Sequence, residues 1–119
     1  MAAPNLISAT TITGKTALSQ LTTATANVIT NSAASGTVVK LNTVTLANYT
    51  GNAVSSNVII NRSSTTYYLG GSVSIPANST LVLLAKDTTT YLEEGDVLQA
   101  NVSANTAISM SASYELIAG

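Results

Sequence analysis

The sequence predicts an all-β protein: an antiparallel β-sandwich or jelly-roll-like barrel of about seven to nine short strands. Three observations support this fold class. The helix formers Glu, Lys, Arg, Gln and Met are scarce, whereas Thr and Val are abundant, and these two favour strands because branched side chains lose rotamer freedom in a helix. Apolar residues recur with a period of two. Turn-forming residues interrupt these runs at short intervals, as in compact all-β domains.

The length of the chain suits one domain, and the sequence shows neither an internal repeat nor an interdomain linker. We therefore expect residues 1–119 to form a single β-sandwich domain. Residues 1–35 carry little apolar bulk, and two interpretations stay open for them. They form either a strand within the same sandwich or an arm that exchanges onto a neighbouring subunit.

The strands follow in a regular order along the chain. We expect two short strands near residues 7–12 and 16–22, joined by a turn at Thr13-Gly14-Lys15. The next run, residues 38–49, has apolar residues on both alternating faces, so we expect a central strand covered on both sides. The remaining strands are expected at residues 56–62, 67–70, 73–75, 80–86, 97–103 and 108–116.

Two local signals mark strand ends, and one run stands out for its regularity. Pro76 ends a strand because proline cannot donate to a β-ladder, and Gly70-Gly71 is expected to be a turn between two strands. In the C-terminal run, apolar residues alternate with Ser109, Ser111 and Ser113. This predicts a half-buried strand with one small, polar face.

The sequence contains neither histidine nor cysteine. Ser-His-Asp and Cys-His mechanisms, disulfides, and zinc sites built from His or Cys are therefore excluded. Three carboxylates cluster in Glu93-Glu94-Gly95-Asp96. This cluster could form a solvated turn, a divalent-cation site or a catalytic pair, and the turn is favoured because adjacent carboxylates on a glycine turn are normally hydrated. We expect no enzyme, no cofactor and no metal site.

The surface is predicted to be nearly uncharged, since charged residues make up only 8% of the chain and the net charge is -1. The few basic residues are scattered, which argues against nucleic-acid binding. No apolar run approaches the ~20 residues of a membrane-spanning helix. A surface with so few ions exerts little repulsion between copies, so we expect a homo-oligomer or docking onto other proteins.

The aromatic residues are five tyrosines. Tyr67, Tyr68 and Tyr49 are the candidate interface residues, because tyrosine can anchor a protein interface or stack on a sugar. Tyr67 and Tyr68 are adjacent, so within a strand one should point into the core and the other outward. The alternative for each tyrosine is core filling with its hydroxyl at the rim.

Several turn-and-strand segments, spread over nearly the whole chain, form a recognisable pattern. They are Met1-Ala2-Ala3-Pro4-Asn5, Thr11-Ile12-Thr13-Gly14-Lys15-Thr16, Asn31-Ser32-Ala33-Ala34-Ser35-Gly36, Val38-Val39-Lys40-Leu41-Asn42, Ser74-Ile75-Pro76-Ala77-Asn78-Ser79-Thr80-Leu81, Tyr91-Leu92-Glu93-Glu94-Gly95-Asp96 and Ser113-Tyr114-Glu115. This pattern resembles a family of small virion structural proteins of tailed phages, particularly those of cyanobacteria and marine bacteria. No functional residues carry over, because the pattern is one of fold.

The resemblance implies a β-sandwich component of the virion, made in the host bacterial cytoplasm. The first expectation is a capsid decoration or cement protein that stabilises the head through contacts with the major capsid protein. The alternative is a neck, tail or fibre module that binds carbohydrate or a host surface through exposed tyrosines and the turn at residues 93–96.

Overall fold

The computed structural model describes residues 10–85, 90–105 and 107–118. These residues form nine strands in two antiparallel sheets, with no helix among them. The strands are β1 (Thr11–Gln20), β2 (Ala26–Thr30), β3 (Thr37–Asn48), β4 (Val54–Arg62), β5 (Thr65–Ile75), β6 (Thr80–Leu84), β7 (Thr90–Leu92), β8 (Val97–Val102) and β9 (Ile108–Ala118). The predicted all-β sandwich is confirmed.

The strand order defines how the chain winds between the two sheets. The first sheet has the order β1-β9-β3-β6, and β7 also pairs with β3, on the edge that β6 occupies. The second sheet has the order β2-β8-β4-β5. Most connections therefore cross from one sheet to the other, and the first and last strands are neighbours. This is the strand order of a jelly roll.

The core lies between the sheets and is built from alternate side chains of each strand. Leu41 and Leu46 of β3, Leu98 of β8 and Ile108 of β9 are fully buried in it. Burial of such side chains is the main favourable term in folding, about 25 cal/mol per Å² of apolar surface. The two sheets are therefore held together by the side chains of their inner faces, whereas their outer faces do not contribute to this core.

The central position of β3 agrees with the sequence, but the expected cover on both sides does not. The pairing of β3 with β9 shifts register between Leu41 and Thr43, so Asn42 is an extra residue in β3. This bulge reverses the alternation, and Val44 and Leu46 point to the same inner face as Leu41. Val39, Leu41, Val44 and Leu46 therefore share the inner face, whereas Val38 pairs with Ile117 on the outer face.

The prediction of a turn at residues 13–15 is wrong. β1 is one continuous strand in which Gly14 pairs with Glu115 of β9. β9 is long enough to pair with every residue of β1, so the backbone groups at Gly14 gain more from the ladder than from a turn. Residues 7–9 of the first expected strand lie outside the described residues, as does residue 86 at the end of another.

Gly70-Gly71 is not a turn either, because both glycines lie inside β5. The pairing of β5 with β4 shifts register on both sides of Val58, so β5 bends across its partner. Gly70 is buried at the bend, where a Cβ would lie 2.9 Å from Val73 Cγ2 and 3.0 Å from Leu83 Cδ1. Close approach, not a turn, explains this glycine.

Two strands were not expected from the sequence. β2 has only five residues and contains a register shift between Asn27 and Ile29. β7 has three residues and pairs with Val39, Lys40 and Leu41 of β3. Neither segment is long enough to show a clear period of two, so both depend on their partner strands for their conformation.

Two buried asparagines hold the loops at opposite ends of the sandwich. Asn31 donates through Nδ2 to the carbonyls of Thr37 (3.1 Å) and Leu92 (3.0 Å). Asn48 donates to the carbonyls of Asn52 (2.8 Å) and Ile75 (3.0 Å). Each side-chain amide thus bridges two backbone carbonyls, because its NH₂ group has two hydrogens to donate.

The N-terminal segment is part of this chain's own first sheet, since β1 pairs with β9 along its full length. Exchange of the same segment onto a neighbouring subunit stays a prediction. Among the described residues no helix is long and apolar enough to cross a membrane.

Candidate docking surface

The outer face of the first sheet is paved with small hydroxyl side chains. Directly paired residues lie on the same face, so the register of β1, β9 and β3 aligns these side chains in rows. We call this surface the hydroxyl face. Its members are Thr16, Thr43, Thr45, Ser109, Ser111 and Ser113. Short side chains leave the face shallow, and each hydroxyl can donate or accept a hydrogen bond.

Large apolar side chains stand at the borders of the hydroxyl face. Leu18 of β1 is 79% exposed and Val82 of β6 is 56% exposed. They lie in one row, because Leu18 pairs with Ser111, Ser111 with Thr45, and Thr45 with Val82. One exposed apolar side chain thus stands on each edge of the hydroxyl face, with two hydroxyl side chains between them.

A shallow groove of about 500 Å³ crosses one end of the hydroxyl face. Its floor contains Thr45, Ser109 and Ser111, and its border includes Gln20 and Tyr49. Gln20 Nε2 donates to the Tyr49 hydroxyl, which fixes the aromatic ring beside the groove. The groove thus offers one half-exposed ring and several hydroxyls.

One ion pair lies at the opposite border of this face. Lys40 Nζ is 3.7 Å from Glu115 Oε1, and both side chains are about one-third exposed. Glu115 also accepts a hydrogen bond from Asn42 Nδ2 at 3.2 Å. Because the charges are paired, the face presents little net field to a partner.

The acidic segment 93–96 is a turn whose carboxylates are engaged within the chain. Asp96 is 1% exposed and accepts from Arg62 Nε (2.7 Å), Arg62 Nη2 (2.5 Å) and the Glu93 backbone N–H (2.8 Å). Glu94 accepts from the Gly36 backbone N–H at 2.8 Å. The segment is a turn as expected, closed by the Asp96 N–H donating to the Glu93 carbonyl at 3.0 Å. The expectation that its carboxylates are solvated is wrong for Asp96, which is buried and hydrogen-bonded within the chain.

Arg62 completes this turn with a second carboxylate, because Nη2 also donates to Glu93 at 3.1 Å. The hydrogen bonds that Arg62 donates to Asp96 are the main cause that raises the pKa of its guanidinium. The guanidinium is therefore permanently charged and fixed in place. Within the described residues no group of three or more acidic side chains is arranged to hold a metal ion.

The three candidate interface tyrosines lie on three different surfaces. Tyr49 borders the groove of the hydroxyl face. Tyr68 pairs with Ile59 on the outer face of the second sheet, and Tyr67 pairs with Ile60 on the inner side, beside Arg62 at the end of the sandwich. Tyr67 and Tyr68 point in opposite directions as expected. Both are exposed, Tyr67 to 57% and Tyr68 to 63%, so the expectation that one of them fills the core is wrong.

The outer face of the second sheet differs from the hydroxyl face. Its amide side chains bond to one another across the strands: Asn57 donates to Asn101 (3.0 Å), and Gln99 donates to Asn27 (2.8 Å). These amides satisfy part of their own hydrogen-bonding capacity and hold the strands together. The first sheet is therefore the better candidate for docking.

The sequence indicates the small, polar side of the C-terminal strand, but not Leu18, Gln20 or Val82. Leu18 and Val82 are 64 positions apart in the chain and meet only through the register of four strands. An isolated large apolar residue within a Ser/Thr-rich strand, such as Leu18, is the signal that could have indicated the border of this face.

Comparisons with protein-family models, with curated proteins and with solved structures found no match to this chain. The fold and the surface therefore define the class on their own: a β-sandwich of jelly-roll strand order with a neutral, shallow outer face bordered by exposed apolar residues.

Proposed function

We propose that this protein is a virion structural protein of a tailed phage and acts as a capsid decoration or cement protein. It works by docking, without catalysis, and it presents the hydroxyl face to other virion proteins, first of all the major capsid protein. The observation that carries the proposal is the combination of a shallow, uncharged face with exposed Leu18 and Val82 at its borders.

The chemistry of this face suits a permanent contact in an assembly. The cores of protein interfaces contain few charged residues, because an ion must lose its hydration to be buried there. Here the hydroxyls need only exchange water for a partner's backbone groups, and the apolar border excludes solvent. Where docked copies are also joined to one another, a modest affinity per copy is sufficient.

Three further observations support a structural role. The sequence pattern resembles small virion proteins of tailed phages. The jelly-roll strand order is shared with viral capsid and lectin domains, although a shared fold is an analogy and does not assign a function by itself. The chain lacks histidine and cysteine, and the carboxylates of the 93–96 turn are occupied by structural hydrogen bonds.

Copy number on the particle tests the position. Quantitative mass spectrometry of purified particles, scaled to the major capsid protein, should give hundreds of copies if the chain decorates the head. About six or twelve copies would place it at the neck or tail, in keeping with the rotational symmetry there. Absence from the particles would overturn the proposal.

Two matched variants test the surface. Val82→Glu puts a carboxylate at the border of the hydroxyl face, whereas Tyr68→Glu puts one on the outer face of the second sheet. We expect Val82→Glu to abolish binding to capsids that lack this protein and Tyr68→Glu to retain it. The reverse result would move the docking surface to the second sheet.

The groove favours a second candidate function, carbohydrate binding by a neck, tail or fibre module. Sugars bind where an aromatic ring lies beside hydroxyl and amide groups, and Tyr49, Gln20 and Ser109 provide that set. A glycan array would test it directly. Binding that is lost in Tyr49→Ala would support this function, and an array without hits would remove it.

A further inference from the structure

The exposed edges of the two sheets are not alike. Unpaired strand edges tend to pair with other chains, and proteins usually blunt them with short strands, bulges, prolines or charges. Three edges follow that rule, since β2, β6 and β7 have five residues or fewer and β5 has two register shifts. β1 differs: ten residues pair with β9 without one shift, and they include no proline and one charged residue, Lys15.

β1 is also little covered by the rest of the molecule. Thr11–Thr16 are exposed on both faces of the strand, and Ile12 and Leu18 are among the most exposed apolar residues. No described strand pairs with the outer edge of β1. The hydrogen bonds to β9 are therefore its principal attachment, and none of residues 10–85, 90–105 and 107–118 pairs with its outer edge.

The register shows which backbone groups lie on that edge. The Leu21 N–H donates to the Ile108 carbonyl at 2.9 Å, which continues the pairing of β1 with β9 by one residue. In an antiparallel ladder the inward-bonded residues alternate with outward-facing ones. The odd-numbered residues of β1 thus bond to β9. The outward N–H and C=O groups belong to Ile12, Gly14, Thr16, Leu18 and Gln20.

We propose that β1 pairs antiparallel with β1 of a second copy, around a two-fold axis at Thr16. An edge strand is complementary to itself under a two-fold rotation, as a symmetric dimer requires. Centred on Thr16, the pairing uses all five outward-facing residues and forms about ten hydrogen bonds between the copies. It also brings Leu18 of each copy opposite Gly14 of the other, where a Cβ would meet nothing within 4 Å.

The neighbouring register that is centred on Lys15 is less favourable for pairing, for two reasons. Centred on Lys15, it would bring the two Lys15 side chains directly opposite each other, and like charges in that position repel. It would also leave Gln20 of each copy without a partner in β1. The Thr16 register instead pairs Lys15 with Ala17 of the other copy.

This dimer has a consequence for docking that rests on the proposed function. Antiparallel pairing keeps equivalent faces on the same side, so the two first sheets become one sheet and the two hydroxyl faces become one surface. Doubling the surface raises the avidity of a dimer for a lattice. The pairing itself does not depend on what the hydroxyl face binds.

The first experiment compares two identical substitutions on the opposite edges of the first sheet. Thr16→Lys puts two ammonium groups at the proposed axis and keeps every backbone bond. Thr80→Lys is the control on exposed β6. By analytical ultracentrifugation we expect a dimer of about 24 kDa, twice the 12.0 kDa chain. Thr16→Lys should weaken it at least about tenfold, and Thr80→Lys should change it less than about twofold.

The second experiment fixes the register and does not depend on affinity changes. The chain has no cysteine, so Thr16→Cys and Lys15→Cys each introduce a single thiol. Thr16→Cys should form a disulfide-linked dimer under mild oxidation, because opposite residues of a hydrogen-bonded pair lie about 5.5 Å apart at Cα. Lys15→Cys should react more slowly.

Three outcomes would overturn the pairing. They are a monomer at all concentrations tested, a Thr16→Lys variant that folds and remains dimeric, or faster cross-linking of Lys15→Cys. Because Val82 lies on the other edge of the sheet, the binding of Val82→Glu to capsids reports on the docking surface separately from these results.

Discussion

At the scale of single residues, the Arg62–Asp96 pair and the Lys40–Glu115 pair show how burial decides the value of a charge. Asp96 is buried and receives two hydrogen bonds from one guanidinium. Glu115 is about one-third exposed and lies 3.7 Å from its lysine. Water can replace Lys40 as a partner of Glu115, but it has little access to Asp96.

Arg62→Ala should therefore lower the free energy of unfolding by about 2 kcal/mol, because it leaves a buried carboxylate with part of its hydrogen bonds unmade. Lys40→Ala is the matched control and should cost less than about 1 kcal/mol. Urea unfolding followed by circular dichroism at one protein concentration measures both. Similar losses for the two variants would contradict this account.

A double variant tests the physical reason for that difference. Arg62→Ala combined with Asp96→Ala removes the buried charge together with its partner. We expect the double variant to lose less stability than the sum of the losses in the two single variants. Each single variant leaves one charged side chain without its partner, whereas the double variant removes both charges. Strict additivity would mean that the two residues act independently.

At the scale of strands, β5 shows a glycine required by packing. A Cβ at Gly70 would approach Val73, whose branched side chain cannot easily rotate away. Gly70→Ala should therefore destabilise the protein by about 1–2 kcal/mol. Gly51→Ala is the control, because a Cβ there meets nothing within 4 Å. Thermal unfolding of both variants measures the difference, and an unchanged midpoint for Gly70→Ala would contradict the close approach.

The strands also show how far local pattern predicts structure. The period of two located β3, β4, β6, β8 and β9 because their side chains alternate against one core. In β3 it gave the wrong faces, because the bulge at Asn42 reverses the alternation and no residue type in the sequence signals it. In β5 it gave two strands where there is one, interrupted by register shifts. The glycines of β1 and β5 resembled turns because their local sequence carries no information about the strand that pairs with them.

The candidate site was predictable in character but not in position. A neutral, hydroxyl-rich surface follows from composition, and the serines of β9 showed one small, polar face. Tyr49 borders the groove, whereas Tyr67 and Tyr68 lie on the second sheet. The sequence does not show to which sheet a tyrosine belongs, because that depends on the strand pairing. The partnership of Leu18 with Val82 depends on four strands in register, which no local window contains.

At the scale of the whole molecule, the jelly-roll order joins residues that are far apart in sequence. β1 pairs with β9, and the first described pair of that ladder joins Thr11 to Ala118. The ladder between β1 and β9 cannot form until these two distant segments meet. Long loops must therefore close before most contacts contribute, which slows folding.

Refolding of the monomer should accordingly take on the order of milliseconds to seconds, as in other β-sandwiches. Stopped-flow dilution from urea can follow it through tyrosine fluorescence, because the chain has five tyrosines and no tryptophan. The rate should be the same at two protein concentrations for Thr16→Lys, in which pairing through β1 is blocked. The wild-type chain should show an additional, concentration-dependent phase as β1 edges meet. Complete refolding within microseconds would mean that local contacts, and not the pairing of the chain ends, determine the rate.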